Sequence, residues 1–433
     1  MRKQRPHILA LISAASLLAA QPASALTLAE AVEQAIVRSP EVAALTSQVE
    51  IQQARQEFAG HAGLPQVGLD GGMGGQYSNL FGRGASVQFR KDIGGNVTQR
   101  LWDWQRTGNA VEAAARRSQV AQLDVDLARD RTAFNTAEAY LNVMRRRLLL
   151  RQTQVNITYH RWLVDSARER VAKNQLAKAR LTELEARLAP LAVDKIDQEA
   201  NLGRAIVTLM ELAGSVDNLS MPPEADVDAR ALRDVDAFVD ASLSAHPAIQ
   251  RANLAVEAAQ RDLDSIRGAF WPSVDAQLST RYLDEAEGLR GLQWDNQALL
   301  RMNWGLFGQG VPAQVKEAEA THKVASAQLR QARQEVTLDL RRYATTLKAI
   351  EDQEAILKEY QKAAKFSMDA GMEYLKKTAH FATDMLALAD LISIRYQAEG
   401  NLISNHVDRQ ITELRLLQAA GRLVPTLQRA ARK

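Results

Sequence analysis

The chain has 433 residues, with 54 lysine and arginine residues, 51 aspartate and glutamate residues and a formal net charge of +3. It contains no cysteine, which excludes a disulfide framework and a thiolate metal site. Three basic residues lie within the first five positions, so the remainder has a formal net charge of 3 − 3 = 0. The composition therefore does not indicate a nucleic-acid partner.

Residues 1–25 are predicted to be a signal peptide. Arg2, Lys3 and Arg5 precede an apolar run over 8–20, and Ala23-Ser24-Ala25 forms a small-residue cleavage site. The run is too short to cross a bilayer comfortably, since a membrane helix needs about 20 apolar residues. The alternative is an uncleaved anchor helix. We expect an exported protein that begins at Leu26, where a bacterial lipoprotein would carry a cysteine.

The remainder is a duplication with a spacing of 207 residues. Five features recur in one register: Ser39-Pro40 as His246-Pro247, Val49-Glu50 as Val256-Glu257, Gln53 as Gln260, Pro65 as Pro272, and Ala213-Gly214 as Ala420-Gly421. One register over such a length indicates two copies of one supersecondary unit, arranged side by side around a pseudo-axis.

The first copy is predicted to consist of helix, β-hairpin and helix, in that order. Residues 26–64 are predicted to be helical with a break at Pro40, and Ser39 is placed to cap the second part. Residues 65–104 are rich in glycine and alternate apolar and polar residues, which is typical of a β-hairpin. Residues 105–214 form long helices, because 109–189 contain neither glycine nor proline.

The long helix of the first copy has an apolar stripe at coiled-coil spacing. The stripe continues in register to Trp162, blurs over 174–179, and gives way to a second helix predicted over 181–212. Its members are Val120, Leu123, Leu127, Phe134, Ala137, Leu141, Met144 and Leu148.

The second copy repeats this order. Residues 215–240 form the linker, and a helix that starts near Val235 continues through 241–270. A second hairpin is predicted over 271–308, long helices over 309–421, and a tail over 422–433. The stripe of the long helix comprises Leu329, Ala332, Val336, Leu340, Tyr343, Leu347, Ile350 and Leu357.

Four strands in an exported chain indicate an oligomer. An open sheet edge is not tolerated in hydrocarbon, whereas three chains would supply twelve strands, an even number that suits an outer-membrane barrel. Aromatic residues lie where strands meet helices: Trp102, Trp104, Phe270, Trp271, Trp304 and Phe307. These rings fit a belt at a membrane interface and equally a plug in the junction core, and the hairpins could also form a small soluble sheet.

The chain resembles the TolC-like outer-membrane efflux and secretion proteins over essentially its whole mature length. The resembling stretches are Leu28-Ala29-Glu30-Ala31, Ser39-Pro40, Leu64-Pro65-Gln66-Val67, Leu101-Trp102-Asp103, Leu306-Phe307-Gly308-Gln309-Gly310 and the two Ala-Gly repeat ends. The resemblance implies a mainly helical fold with β-strands: a homotrimer whose 12-stranded β-barrel in the outer membrane continues into an α-helical barrel across the periplasm. An equatorial belt would form near 215–240 and the chain ends.

The resemblance also implies function and partners. The chain would be the exit duct of a tripartite efflux pump or a type I secretion system. It would work with an inner-membrane ABC, RND or MFS transporter and a periplasmic adaptor, contact outer-membrane lipid, and need no cofactor, metal or nucleic acid.

The entrance of such a duct would lie at the helix tips, near 173–182 and 376–384. Asp384 in Ala382-Thr383-Asp384-Met385-Leu386 resembles the family's entrance aspartate. Thr182, His380 and Asp390 are further candidates near the entrance, and Asp390 lies too far along the helix to share the face of Asp384. Asp384 also fits a plain role as a first-turn carboxylate. The turn glycine of the family is missing from both copies. Pro65, Trp102, Trp104, Trp271, Pro272 and Trp304 would form the barrel–helix junction.

Other functions find less support. No histidine pair has the HExxH spacing, His246 suits a capping or surface role, and the glycines at 71–75 precede strand residues rather than a helix that could bind phosphate. Arg145-Arg146-Arg147 suits a solvated face or, alternatively, a patch for a partner. The main alternative is a soluble periplasmic coiled-coil adaptor without a pore, and an enzyme finds no catalytic constellation.

Overall fold

The computed structural model describes residues 26–80, 84–214, 219, 234–286, 289–306, 310–377 and 381–431. Helices α1 (Leu28–Arg38) and α2 (Pro40–His61) open the chain. Thr27 and Glu30 form a reciprocal capping box at the start of α1. Ser39 accepts a hydrogen bond from the Val42 amide, and Pro40 occupies the first position of α2, so the predicted break at Pro40 is found.

A strand pair and three helices complete the first copy. Strands β1 (Gln66–Leu80) and β2 (Gly84–Trp102) pair antiparallel. Helix α3 (Arg106–Ala172) follows, and its 67 residues extend about 100 Å at about 1.5 Å per residue. Helices α4 (Lys178–Ala186) and α5 (Leu188–Ala213) return along it. The single helix predicted over 181–212 is therefore interrupted at Arg187.

The second copy repeats the order. Helices α6 (Val235–Ala245) and α7 (Pro247–Gly268) precede strands β3 (Ser273–Ala286) and β4 (Leu289–Asn303). Helix α8 (Val311–Lys377) is again 67 residues long. Helices α9 (Phe381–Ala419) and α10 (Leu423–Ala431) end the described chain. His246 caps α7 through its ring nitrogen and is buried, so of the two roles expected for it the capping role is confirmed.

The strands and helices share one lateral order. The sheet runs β1-β2-β3-β4, all antiparallel. The helices that continue these strands contact one another in the order α2, α3, α7, α8. Farther from the sheet, the contacts follow α5, α3, α9, α8. Each chain is thus a layer four elements wide, with β1, α2 and α5 along one edge and β4 and α8 along the other.

Apolar clusters hold this layer at two levels far from the sheet. The central cluster joins both chain ends, because Leu26, Leu28, Leu423 and Leu427 pack with α3, α5 and α9, and Leu219 lies against it. Leu26 also bridges Leu219 in parallel. A second cluster lies at the helix tips and joins α3 and α4 to α8 and α9.

The buried stripe of α3 matches the predicted one at Phe134, Ala137 and Leu141 and differs from it elsewhere. Ala121, Val125 and Ala128 are buried, whereas Leu123 and Leu127 are only partly so. Trp162 is 38% exposed, and its neighbours Leu163 and Val164 enter the tip cluster instead. Small side chains line the seam because they let α3 approach α2 and α7 closely, and the leucine spacing does not reveal this choice.

Candidate functional site

The sheet has one apolar face that the chain leaves exposed. Cross-strand partners lie on the same face, so the register Val67–Val97–Leu278–Ala298 defines an apolar row. Ten large side chains of this face are more than half exposed: Val67, Leu69, Met73, Tyr77, Val87, Phe89, Ile93, Leu278, Leu300 and Met302. A surface of this kind requires an apolar environment outside the chain.

The opposite face of the sheet carries charges that pair across strands. Arg281 of β3 donates to Asp92 of β2 at 2.6 Å and to Asp70 of β1 at 2.5 Å. Nearer the helices, the Asp275 carboxylate accepts from the Arg100 Nε at 3.1 Å and from the Asn303 amide at 3.1 Å. The sheet is therefore amphipathic, with an apolar face and a charged, ion-paired face.

The two hairpins begin in the same way. Pro65 and Pro272 lie immediately before β1 and β3, where proline favours extended backbone in the residue that precedes it. At the other end of the first hairpin, Trp104 and Gln105 adopt left-handed φ angles of 57° and 59°. Asp103 then caps α3, because its carboxylate accepts from the Thr107 amide at 2.9 Å.

The junction tryptophans lie together on the outside of the chain. The Trp104 ring centroid is 4.9 Å from that of Trp271 and 5.8 Å from that of Trp102. The Trp304 indole N–H donates to the Phe270 carbonyl at 3.0 Å. All four rings are at least 42% exposed. They do not fill a core within one chain, contrary to the plug interpretation.

At the helix tips, an asparagine takes the place of the missing glycine. Asn174 has a φ of 56°, and the chain turns there between α3 and α4. Asparagine tolerates the left-handed region better than other non-glycine residues. Leu176 then inserts into the tip cluster beside Leu184. The turn is therefore built without the glycine that the resemblance implies.

The predicted gate residues occupy different environments. Thr182 is exposed on α4, where its hydroxyl donates to the Lys178 carbonyl at 3.2 Å. The backbone places Asp384 in the first turn of α9, and its side chain lies outside the described residues, as does the whole of His380. Asp390 pairs with Arg187 at 2.5 Å. The described part of the chain thus assigns Asp390 to a bridge between the two helical hairpins.

The sequence did not reveal the polar contacts between helices. Arg168 of α3 pairs with Glu185 of α4 at 2.7 Å. Tyr396 of α9 donates to Asp194 of α5 at 2.6 Å and lies 3.0 Å from the Thr153 hydroxyl of α3. Burial, with Asp194 as the next cause, raises the pKa of Tyr396 to about 12. No sequence spacing pairs residues on three separate helices.

The arginine run has one member that is not solvated. Arg145 is largely buried and pairs with Asp408 of α9, so the solvated role expected for the whole run is wrong at this position.

The described ranges show neither a metal site nor a helical membrane span. No group of three or more histidine, aspartate or glutamate residues within them could hold a metal ion. None of the described helices combines the length and the apolar character that a membrane crossing requires. The exposed apolar surface described above belongs to the sheet.

Comparison with known proteins agrees with these features. Residues 238–422 match the family model "Outer membrane efflux protein". The outer membrane efflux protein BepC of Brucella suis is 25% identical over 429 residues, which cover 96% of this chain and 89% of BepC. The outer-membrane channel OprN has the same fold, with a TM-score of 0.78, 17% identity, and coverage of 91% of this chain and 89% of OprN.

A second solved structure extends the comparison. The outer membrane protein VceC of Vibrio cholerae has a TM-score of 0.75 and 16% identity, with coverage of 91% of this chain and 96% of VceC. The family match covers most of the second copy, and the relative and the folds extend over both copies. The chain is therefore similar to outer membrane efflux proteins over residues 238–422, and it is similar to BepC over nearly its whole length.

Proposed function

We propose that this chain is the outer-membrane channel of an efflux pump, built from three copies that form one continuous duct. The observation that carries the proposal is the amphipathic sheet. Its apolar face suits lipid and its ion-paired face suits a water-filled lumen, which is the alternation of an outer-membrane barrel. A soluble adaptor would cover its apolar face, and this chain leaves it exposed.

The heights of the aromatic residues support a membrane location for the sheet. Trp102 pairs with Val274, and Tyr282 lies eight residues farther along β3. Eight residues span about 26 Å along a strand, or roughly 20 Å in height at a tilt of about 40°. Tyr282 and Trp294 meet edge to face there, with ring centroids 5.0 Å apart. Two aromatic levels at this separation fit the two interfaces that flank an apolar band of about 25 Å.

The edges of the layer support a closed ring of copies. Among the described strands, β1 and β4 each pair on one side only. Helix α5 carries an exposed stripe at coiled-coil spacing, formed by Val193, Ile196, Ala200, Gly203, Val207 and Met210. Helix α8 carries Leu338, Ile356 and Tyr374, each 18 residues or five turns apart, also exposed. Contact between these unlike edges is head-to-tail and can close into a ring.

Three copies would give matching counts in both parts of the duct. Four strands and four neighbouring helices per chain become twelve strands and twelve helices. The resemblance to the TolC-like proteins implies the same number. The helical part would then cross the periplasm toward the inner membrane, since α3 and α8 each extend about 100 Å.

The proposed entrance lies at the tips, with Asp384 forming an acidic ring of three carboxylates. The partners would be a periplasmic adaptor and an inner-membrane transporter of the ABC, RND or MFS type, which would supply the energy that a passive duct lacks. A type I secretion partner would give the same duct a protein cargo.

The test is fractionation and heat-dependent migration of the full chain. We expect recovery in the outer-membrane fraction and an unboiled band at three times the chain mass. The purified protein should conduct ions in planar bilayers. Recovery as a soluble monomer in the periplasm would overturn the proposal in favour of the adaptor, and a dimer or tetramer would overturn the count of three.

A further inference from the structure

We propose that Arg281 is the residue that sets the charge selectivity of the outer half of the barrel lumen, which rests on the proposed function. Arg281 lies in a row of four residues that crosses the sheet: Asp70, Gly94, Arg281 and Asp295. This row belongs to the charged face, so in a closed barrel its side chains line the water-filled interior.

The arginine lies flat along the wall because β2 leaves room for it. Its guanidinium reaches from β3 across Gly94 of β2 to Asp70 of β1. A Cβ atom at Gly94 would lie 3.3 Å from the Arg281 Nε and 3.5 Å from the Asp70 Oδ1. A side chain at position 94 would therefore crowd the arginine and require it to shift.

Without Arg281 this level of the lumen would be strongly acidic. The described charged side chains of this region on the charged face are three acidic ones, Asp70, Asp92 and Asp295, and two basic ones, Arg90 and Arg281. Their sum is −3 + 2 = −1 per chain. Removing Arg281 alone gives −2 per chain, and three copies turn a ring of three negative charges into one of six.

The position of these charges makes them matter for permeation. Asp70 and Arg281 keep 52% and 38% of their side-chain surface exposed, so passing ions reach them through water. Charges in water act over a Debye length of about 10 Å at 0.1 M salt and about 3 Å at 1 M. The effect of Arg281 should therefore be large at low salt and nearly absent at high salt.

The experiment measures reversal potentials of the purified channel in planar bilayers under a KCl gradient near 0.1 M. We expect Arg281→Gln to raise the ratio of potassium to chloride permeability about twofold or more. Asp70→Asn should lower the same ratio, because it removes a negative charge from the same row. Both shifts should shrink at 1 M salt.

Lys91→Gln is the matched control. It removes the same charge from β2 three residues from Gly94, but Lys91 pairs with Met73 on the apolar face and lies 5.8 Å from the Phe89 ring. We expect it to leave the permeability ratio unchanged.

An unchanged ratio in both Arg281→Gln and Asp70→Asn, with conducting trimers, would overturn the assignment. Equal shifts in Arg281→Gln and Lys91→Gln would overturn it as well, because the effect would then not depend on the luminal face. Failure of the unmodified protein to conduct at all would instead count against the proposed channel.

Discussion

Arg281 pairs with Asp70 across an intervening strand, with 2.5 Å between the guanidinium Nη2 and the carboxylate Oδ2. The pair is partly exposed, so its own contribution to stability is about 0–1 kcal/mol. The pair matters mainly for the arrangement of the strands, since the Arg281 side chain connects β1 with β3 and also contacts Asp92 of β2. The three strands are held in one register before any neighbouring chain adds to the sheet.

Gly94→Val is expected to weaken this connection. The new side chain would crowd the Arg281 Nε and the Thr280 carbonyl oxygen, each 3.3 Å from its Cβ position. Crowding of this kind costs about 1–3 kcal/mol. The unboiled oligomer should dissociate at a lower temperature on gels, and the purified protein should melt earlier.

Gly74→Val provides the control for that experiment. Gly74 lies on β1, on the same face of the sheet as Gly94, and it pairs with Arg90. A Cβ atom at Gly74 would meet nothing within 4 Å. Valine also suits a strand better than glycine. Equal losses in the two variants would show that the space above Gly94 has no special role.

Asp384→Asn is expected to relieve block of the channel by multivalent cations. Three carboxylates at the entrance would concentrate such cations, and their loss should raise the half-blocking concentration about threefold or more. Single-channel recording with a trivalent cation on the periplasmic side measures the change. A matched control is the double variant Arg187→Gln/Asp390→Asn, which removes an ion pair at the tips without changing the net charge. Block that stays the same in Asp384→Asn would refute the gate assignment.

Sequence patterns predicted the fold well where the signal is local. Alternation with glycine gave both hairpins, and Ser39-Pro40 gave the break between α1 and α2, because each feature depends on neighbouring residues. The duplication gave the order of the second copy.

The patterns failed where the reason is tertiary. The seam of α3 follows Ala121, Val125 and Ala128, and alanines are too common in helices to mark a seam. The Tyr396–Asp194 contact and the Arg281–Asp70 row each join distant segments, so no local spacing announces them. For the candidate gate, the sequence predicted where the helices turn. The ion pair between Asp390 and Arg187 depends on how the two helical hairpins pack, which no local pattern reveals.

Asn174 tests how the turn between α3 and α4 works without glycine. Its φ of 56° costs an ordinary L-residue about 1 kcal/mol or more, which asparagine partly avoids. Asn174→Ala should therefore lower the free energy of unfolding by about 1 kcal/mol, whereas Asn174→Gly should be neutral or slightly stabilising. Thermal melts of the two variants give the comparison. A neutral alanine variant would mean that the turn relaxes to a negative φ.

Asp130 should make stability depend on pH. It is a buried residue of α3 that lies next to the start of α10, and its carboxylate accepts a hydrogen bond from the Val424 amide at 3.4 Å. Burial raises its pKa from 3.8 to about 6; the Val424 hydrogen bond opposes this, and Asp126 adds to it. Because the folded pKa exceeds the unfolded one, the folded state binds the proton more tightly. The associated stability is complete below about pH 4 and is lost as the pH rises through about 6.

Asp130→Asn removes that titration and keeps an oxygen for the Val424 amide. Relative to the unmodified protein, we expect the variant to be more stable above pH 7 by about 2–3 kcal/mol and nearly equal at pH 4. The measurement is the difference in unfolding free energy between the two proteins from pH 4 to pH 8, which cancels the other titrating groups. Asp126→Asn is the control, because it lies one turn away and influences Asp130 through charge alone, so it should give a smaller gain. A variant that loses stability at neutral pH would mean that the charged carboxylate holds α10 more strongly than burial opposes it.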